Sequence, residues 1–225
     1  MSLDLDDTFA FVAAAIADRR RVLEVGAGNG ELAARLQAAG HEVTAIDPHV
    51  HHPVYPVAPV GILDYAGGPF DAVVFTRSLH HIGPLAEAVA RARELLVPGG
   101  VLVLDELDVA APDAATAGWY YDLQAILVAA GVYPAEHLHG RDDLAPVARW
   151  QAEHAATPPL HPAAAMVAAV RAVFADVEVV RLPYLYRYLA HVLPSRPVAE
   201  AVRAAEAHGI AAGALVAVGL RVTAR

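Results

Sequence analysis

The segment Arg21-Val-Leu-Glu-Val-Gly-Ala-Gly-Asn-Gly-Glu-Leu-Ala-Ala-Arg-Leu36 decides the fold of this chain. Val22, Leu23 and Val25 give an apolar strand, Gly26, Gly28 and Gly30 follow at alternate positions, and Leu32, Ala33 and Leu36 recur at helical spacing. A buried strand that runs through alternating glycines into a helix is a nucleotide cradle. The missing side chains let the turn close tightly and let backbone N–H groups approach a ligand.

The spacing of the glycines separates two ligand classes. A dinucleotide turn of the form G-x-G-x-x-G needs its third glycine at position 31, which is Glu31; here the third glycine falls one place earlier. Glu24, in the strand before the glycines, opposes a pyrophosphate and suits an ammonium group, so it argues for a cationic amino-acid moiety such as that of S-adenosylmethionine (SAM). A second strand, His41-Glu-Val-Thr-Ala-Ile-Asp47, ends in a carboxylate about twenty residues after the first glycine, where a ribose diol is chelated. Phe70 to Ile82 reads as a strand leading to the polar mouth Thr76-Arg-Ser-Leu-His-His81. Leu95 to Asp105 reads as a helix end, a Pro-Gly-Gly turn and another buried strand.

With these residues in order, the chain resembles the class I SAM-dependent methyltransferases over residues 20 to 107. The resemblance rests on the glycine motif from Glu24 to Gly30, the acid Asp47, and Leu96-Val-Pro-Gly-Gly-Val-Leu-Val-Leu-Asp-Glu106. It implies SAM as cofactor and S-adenosylhomocysteine as product. The implied cofactor contacts are Glu24, Gly26, Ala27, Gly28, Gly30, Asp47 and Pro48, with Asp64 at the end of the third strand reaching the adenine amino group and Thr76 and Arg77 lining the methionine end.

Alternation of strands and helices up to Asp105 implies a parallel sheet with helices on both faces and the ligand at the carboxyl ends of the strands. The fold class expected is α/β: a Rossmann-like, doubly wound, mostly parallel seven-stranded sheet with an antiparallel final hairpin, as the resemblance implies, and a helical insertion after strand 5. One domain, 1–225, is expected, with 108–172 as a helical cap that breaks the rhythm. Its helices read as Asp113–Ala130, Arg141–Ala156 and Pro162–Phe174. An amphipathic helix is expected over Thr8–Asp18, capped by Asp7 or Thr8. Val177–Leu189 reads as a strand bent at Pro183, which places Tyr184, Tyr186 and Tyr188 on one face. Pro194–His208 reads as a helix and Ala214–Val222 as the closing strand.

Composition narrows the chemistry. There is no cysteine and no lysine, which removes disulfides, thiolate metal sites, a cysteine nucleophile, Schiff bases and a Walker lysine. A formal net charge of −9 with scattered arginines opposes binding to a phosphate backbone, so no nucleic acid is expected as substrate. The apolar runs, such as residues 209–220, are too short for a membrane span of about twenty residues. The acidic amino terminus ahead of its apolar stretch reverses the order of a secretory signal. A cytoplasmic monomer or homodimer without a membrane partner is the expectation.

Methyl transfer from a sulfonium is an in-line displacement that needs alignment within about 3 to 3.5 Å and no metal. A hydroxyl acceptor also gains from a general base, and histidine suits that work. His80 and His81 hold the strongest position, where the fourth strand exits. Asp105 and Glu106 face the same mouth, and in the insertion His154 with Tyr120 or Tyr121 are further candidates; the catalytic set is His80, His81, Glu106 and His154. Metal ligation by His49, His51 and His52, or by His137 and His139 with Asp142 or Asp143, is the lesser reading, and surface loops are the expectation. The function expected is methyl transfer to O or N of a small-molecule acceptor. The alternative is a protein of the same fold that binds SAM without transferring methyl, as a regulatory subunit or a pericyclase-like catalyst.

Overall fold

A computed structural model describes residues 3–137, 143–157 and 159–225. In chain order the elements are α1 (Leu3–Ile16), β1 (Arg21–Val25), α2 (Glu31–Ala38), β2 (Glu42–Ile46), β3 (Val57–Ala58), β4 (Phe70–Thr76), α3 (Leu85–Leu95), β5 (Leu96–Leu107), α4 (Ala114–Ala129), α5 (Pro146–Glu153), α6 (Ala163–Arg171), β6 (Val177–Leu182), α7 (Tyr186–Ala190), α8 (Arg196–Ala211) and β7 (Gly219–Ala224). The seven strands form one sheet in the order β3-β2-β1-β4-β5-β7-β6. Strands β1 to β5 pair in parallel. Asp176 and Arg225 exchange both backbone hydrogen bonds, at 3.2 and 2.9 Å, which is the mark of an antiparallel pair. The doubly wound sheet with an antiparallel final hairpin is as the sequence predicts.

The chain divides into two compact units. One comprises residues 7–107, 161–180 and 220–225, and the other residues 1–6, 108–160 and 181–219. The insertion expected at 108–172 is therefore shared, its last helix, α6, belonging to the first unit.

In the first unit the central strands are apolar on both faces, as a parallel sheet covered by helices requires. Leu23, Val25, Val73, Phe75, Leu102 and Leu104 form one core with Ala88, Val89 and Ala92 of α3 and Met166 and Val170 of α6. Alanines 27, 33 and 45 form a smaller cluster where α2 lies on the sheet. The Pro-Gly-Gly segment is absorbed into β5 rather than forming a separate turn. Phe70 pairs with Leu96 and Ala72 with Val101, so residues 97–100 bulge from the ladder, with Gly99 at φ +77°.

Helix α1 starts at Leu3, five residues earlier than the Thr8 start expected from capping. The two polar residues read as caps have tertiary partners instead. Thr8 Oγ1 donates to Asp105 Oδ2 at 2.9 Å, and Asp7 Oδ2 accepts from Arg221 at 2.9 Å. The third strand is only two residues long, so Asp64 does not end it; it sits in the turn that follows, its N–H donating to Gly61 O at 3.2 Å.

In the second unit α4 begins where expected, with Asp113 accepting the Thr116 N–H at 2.8 Å. Helix α5 is shorter than the expected Arg141–Ala156; Arg141 and Asp142, like His139, lie outside the described residues. The strand expected through Leu189 stops at Leu182. Beyond Pro183 the chain turns into α7, because the buried Glu206 carboxylate of α8 accepts the N–H groups of Tyr184, Leu185 and Tyr186 at 2.6, 2.9 and 2.9 Å. These are the donors that a helix start leaves unpaired. Tyr184, Tyr186 and Tyr188 are thus not three neighbours on a strand face. Tyr184 and Tyr188 meet at helical spacing, with ring centroids 5.7 Å apart.

Gln124 of α4 is fully buried, and neither of its amide atoms has a hydrogen-bond partner among the described residues. An unpaired buried amide costs about 1–3 kcal/mol, and an apolar group of similar shape removes that cost. Gln124→Met is therefore expected to raise the melting temperature by about 2–4 °C. A fall of that size in a thermal scan would show that the amide is engaged in the folded protein.

Candidate functional site

The carboxyl ends of β1, β2 and β4 open onto a cavity of about 620 Å³, within the range that holds a nucleoside-sized ligand. It lies wholly in the first unit. Its wall brings together Gly26, Asp47, Pro48, Asp64, Arg77 and His81, six of the residues singled out from sequence.

The three glycines of the turn serve different ends. All have positive φ, +71°, +58° and +81°. A Cβ on Gly26 would lie 2.3 Å from Ser78 Cβ, and one on Gly30 would lie 2.7 Å from Tyr55 Cβ, so both are required by packing within the protein. Gly28 alone faces open space, and its N–H donates to Asp47 Oδ2 at 2.8 Å. The other Asp47 oxygen accepts the His49 N–H at 2.7 Å. Two backbone donors thus hold the carboxylate in a fixed orientation at the cavity wall.

Glu24 sits beneath the turn, 2% exposed. Its Oε2 has no hydrogen-bond partner among the described residues. Burial pushes its carboxyl up to about 8, against the opposing influence of the Ala33 N–H and the Arg77 charge. Arg77 adopts φ +54°, and its N–H donates to Asp105 O at 2.9 Å. A non-glycine residue held in the left-handed region marks a place where surrounding structure over-determines the backbone.

The two histidines separate. Leu79–His81 forms a single 3₁₀ turn. His80 is buried, with Nδ1 2.6 Å from Glu106 Oε2, while Glu106 Oε1 accepts the N–H groups of Ser78 and Leu79 at 2.9 and 2.7 Å. Neither His80 nor Glu106 lines the cavity; together they form a strut that holds the turn. His81 does line it. Burial, followed by the neighbouring His80 ring 4.1 Å away, lowers its pKa, with Glu106 acting in the other direction.

Of the remaining candidates, Ala27 packs into the small alanine cluster, and Thr76 ends β4 in register with Asp105. Asp105 is buried, accepting from Thr8 and from Arg221 Nε at 3.3 Å. His154 lies in the second unit, stacked on Trp150 at 3.8 Å with Nε2 3.1 Å from Tyr188 Oη. Tyr121 Oη donates to Glu153 at 2.8 Å, and Tyr120 packs edge-on to Trp150. His49, read from the sequence as a surface-loop histidine, also lines the cavity, as do Val60, Ile62, Leu63 and Ser78, which were not singled out. Ile62 is buried, but the apolar stretch 57–63 around it gives no sign of which residue meets a ligand.

No helix among the described residues is long and apolar enough to cross a membrane. Uncharacterized methyltransferases of Mycobacterium tuberculosis and Mycobacterium bovis are 37% identical to this chain over 97 residues, covering 37% of it. That match spans about half (48%) of each relative's length. Among solved structures, a SAM-dependent methyltransferase from Archaeoglobus fulgidus superposes with a TM-score of 0.58 at 14% identity, over 99% of this chain and 92% of the other. The 1,6-didemethyltoxoflavin-N1-methyltransferase of Burkholderia thailandensis gives 0.56 at 18% identity, over 100% and 78%. These two likenesses establish the fold. The methyltransferase domain family matches residues 1–143, more than half of the chain, which therefore belongs to that family.

Proposed function

We propose that the chain binds SAM in this cavity and transfers its methyl group to an oxygen or nitrogen of a small-molecule acceptor. The observation that carries this reading is the convergence of a pre-oriented carboxylate, Asp47, and a buried acid, Glu24, one of whose oxygens has no partner among the described residues, on one glycine turn. The residues present fit the cofactor. Asp47 has the chemistry to receive the two ribose hydroxyls, Glu24 an ammonium group, and Val60, Ile62 and Leu63 with Asp64 the adenine ring. When bound, the sulfonium supplies an already activated methyl group.

The protein's own task is then to orient the acceptor and take its proton. His81 is the titratable group at the cavity wall suited to that role. Its lowered pKa keeps the imidazole neutral, and hence able to accept a proton, at pH 7. His80 and Glu106 hold the turn from behind.

Asp47→Ala tests the cofactor assignment. The variant removes charge-assisted hydrogen bonds worth about 1.5–3 kcal/mol each, so affinity for S-adenosylhomocysteine in a calorimetric titration is expected to fall about a hundredfold. Unchanged affinity would sink the assignment.

A further inference from the structure

We propose that His161 is a positioning residue that fixes the turn carrying His81. The inference rests on the reading of His81 as the proton acceptor, and it comes from hydrogen bonds that no motif in the sequence announces. His161 stands two residues before α6, some eighty residues beyond the turn. Its backbone N–H donates to His80 O at 2.9 Å, and its Nε2 lies 3.1 Å from Ile82 O. One residue therefore holds the carbonyl groups on both sides of His81.

Ile82 O can only accept, so Nε2 of His161 carries a hydrogen. On the opposite side the turn is held by Glu106, through Ser78 N–H, Leu79 N–H and the His80 ring. The turn's own bonds are His81 N–H to Ser78 O and Ile82 N–H to Leu79 O, at 3.0 and 3.1 Å. A single 3₁₀ turn with two such bonds is too weak to define a side-chain direction by itself. Glu106 fixes where the turn begins; His161 fixes where it ends, and so where the His81 imidazole points.

The imidazole of His161 is not needed to seat its own helix. Ala163, Met166 and Val170 already anchor α6 in the core. The ring instead lies against the backbone just after the turn, with Nε2 4.0 Å from where a Cβ on Gly83 would stand.

The test uses the whole chain without ligand and needs no acceptor. Nuclear magnetic resonance follows amide exchange at residues 79–82 and the pH titration of the His81 ring in the native protein, His161→Ala and His161→Gln. Loss of one hydrogen bond in His161→Ala is expected to speed exchange at His81 and Ile82 about fivefold. The His81 transition should move up towards the ordinary histidine value as the turn opens to water. His80 and Glu106 act on it most directly, Asp47, His49, Asp64 and Arg77 line the same cavity, and none of these is altered. In His161→Gln the amide N–H₂ can reach Ile82 O and restores both readouts, while the melting temperature stays near native. In the native protein, ring ¹⁵N shifts should show the Nε2–H form of His161.

An Nδ1–H form, or exchange and His81 titration unchanged in His161→Ala, would overturn the proposal. So would a uniform acceleration of exchange through β4 and α6, since that is the mark of a merely structural residue. Failure of native protein to bind S-adenosylhomocysteine would count against the proposed function alone, because none of these readouts involves ligand.

Discussion

Glu24→Gln is expected to make the ligand-free protein more stable than native at pH 8 while weakening its hold on S-adenosylhomocysteine. Glu24 has a pKa of about 8 in the folded chain, against an ordinary value of 4.5. Between those values the folded state binds more protons than the unfolded state, so native stability falls as pH rises through this window. The loss is complete above pH 8 and is on the order of 5 kcal/mol. Glutamine keeps an oxygen for the Ala33 N–H but does not ionise. In thermal scans the variant should melt roughly 10 °C above native at pH 8, and the difference should shrink towards zero at pH 5. Removing the negative charge should also cost at least tenfold in ligand affinity. A variant no more stable than native at pH 8 would show that Glu24 is not held against its own preference, and the proposed pairing of Glu24 with an ammonium group would lose its support.

The second large effect concerns His81. Replacing it with alanine removes the group that takes the acceptor's proton, and general base catalysis contributes about 10²–10⁴ in rate. That loss is expected in kcat once methyl transfer is followed with a competent acceptor, with S-adenosylhomocysteine affinity changed less than tenfold. The working form of His81 is neutral. Because burial lowers its pKa from 6.5, native turnover should hold through neutral pH and fall only at pH below the ordinary histidine range. His81→Ala should lose that acidic limb. An acidic limb that persists unchanged in the variant would assign it to another group.

Much of this architecture was legible because it depends on neighbours in sequence. The strand-glycine-helix segment from Val22 to Leu36, Asp47 at the end of β2 and the Asp113 cap of α4 are local patterns, and each stands where the sequence puts it. What escaped depends on distant partners. Tyr184 to Tyr188 alternate like a strand, yet Glu206, about twenty residues on, caps them into a helix. Asp7 and Thr8 look like caps, yet Arg221 and Asp105 claim their side chains. At the site, adjacent histidines carry no sign of which one is turned inward. Glu106 decides it, by binding His80 together with the amides before it. His161 is the extreme case, since its contribution passes through backbone carbonyl groups that leave no imprint on residue type.

Calorimetric titration of S-adenosylhomocysteine, and separately of a reduced dinucleotide, into the native chain tests the central claim most directly. The account predicts that S-adenosylhomocysteine binds, one molecule per chain, and that the dinucleotide does not, because Glu24 and the position of Gly30 favour a cationic amino-acid moiety over a pyrophosphate. Binding of the dinucleotide in preference, or no heat from S-adenosylhomocysteine at millimolar concentration, would contradict it.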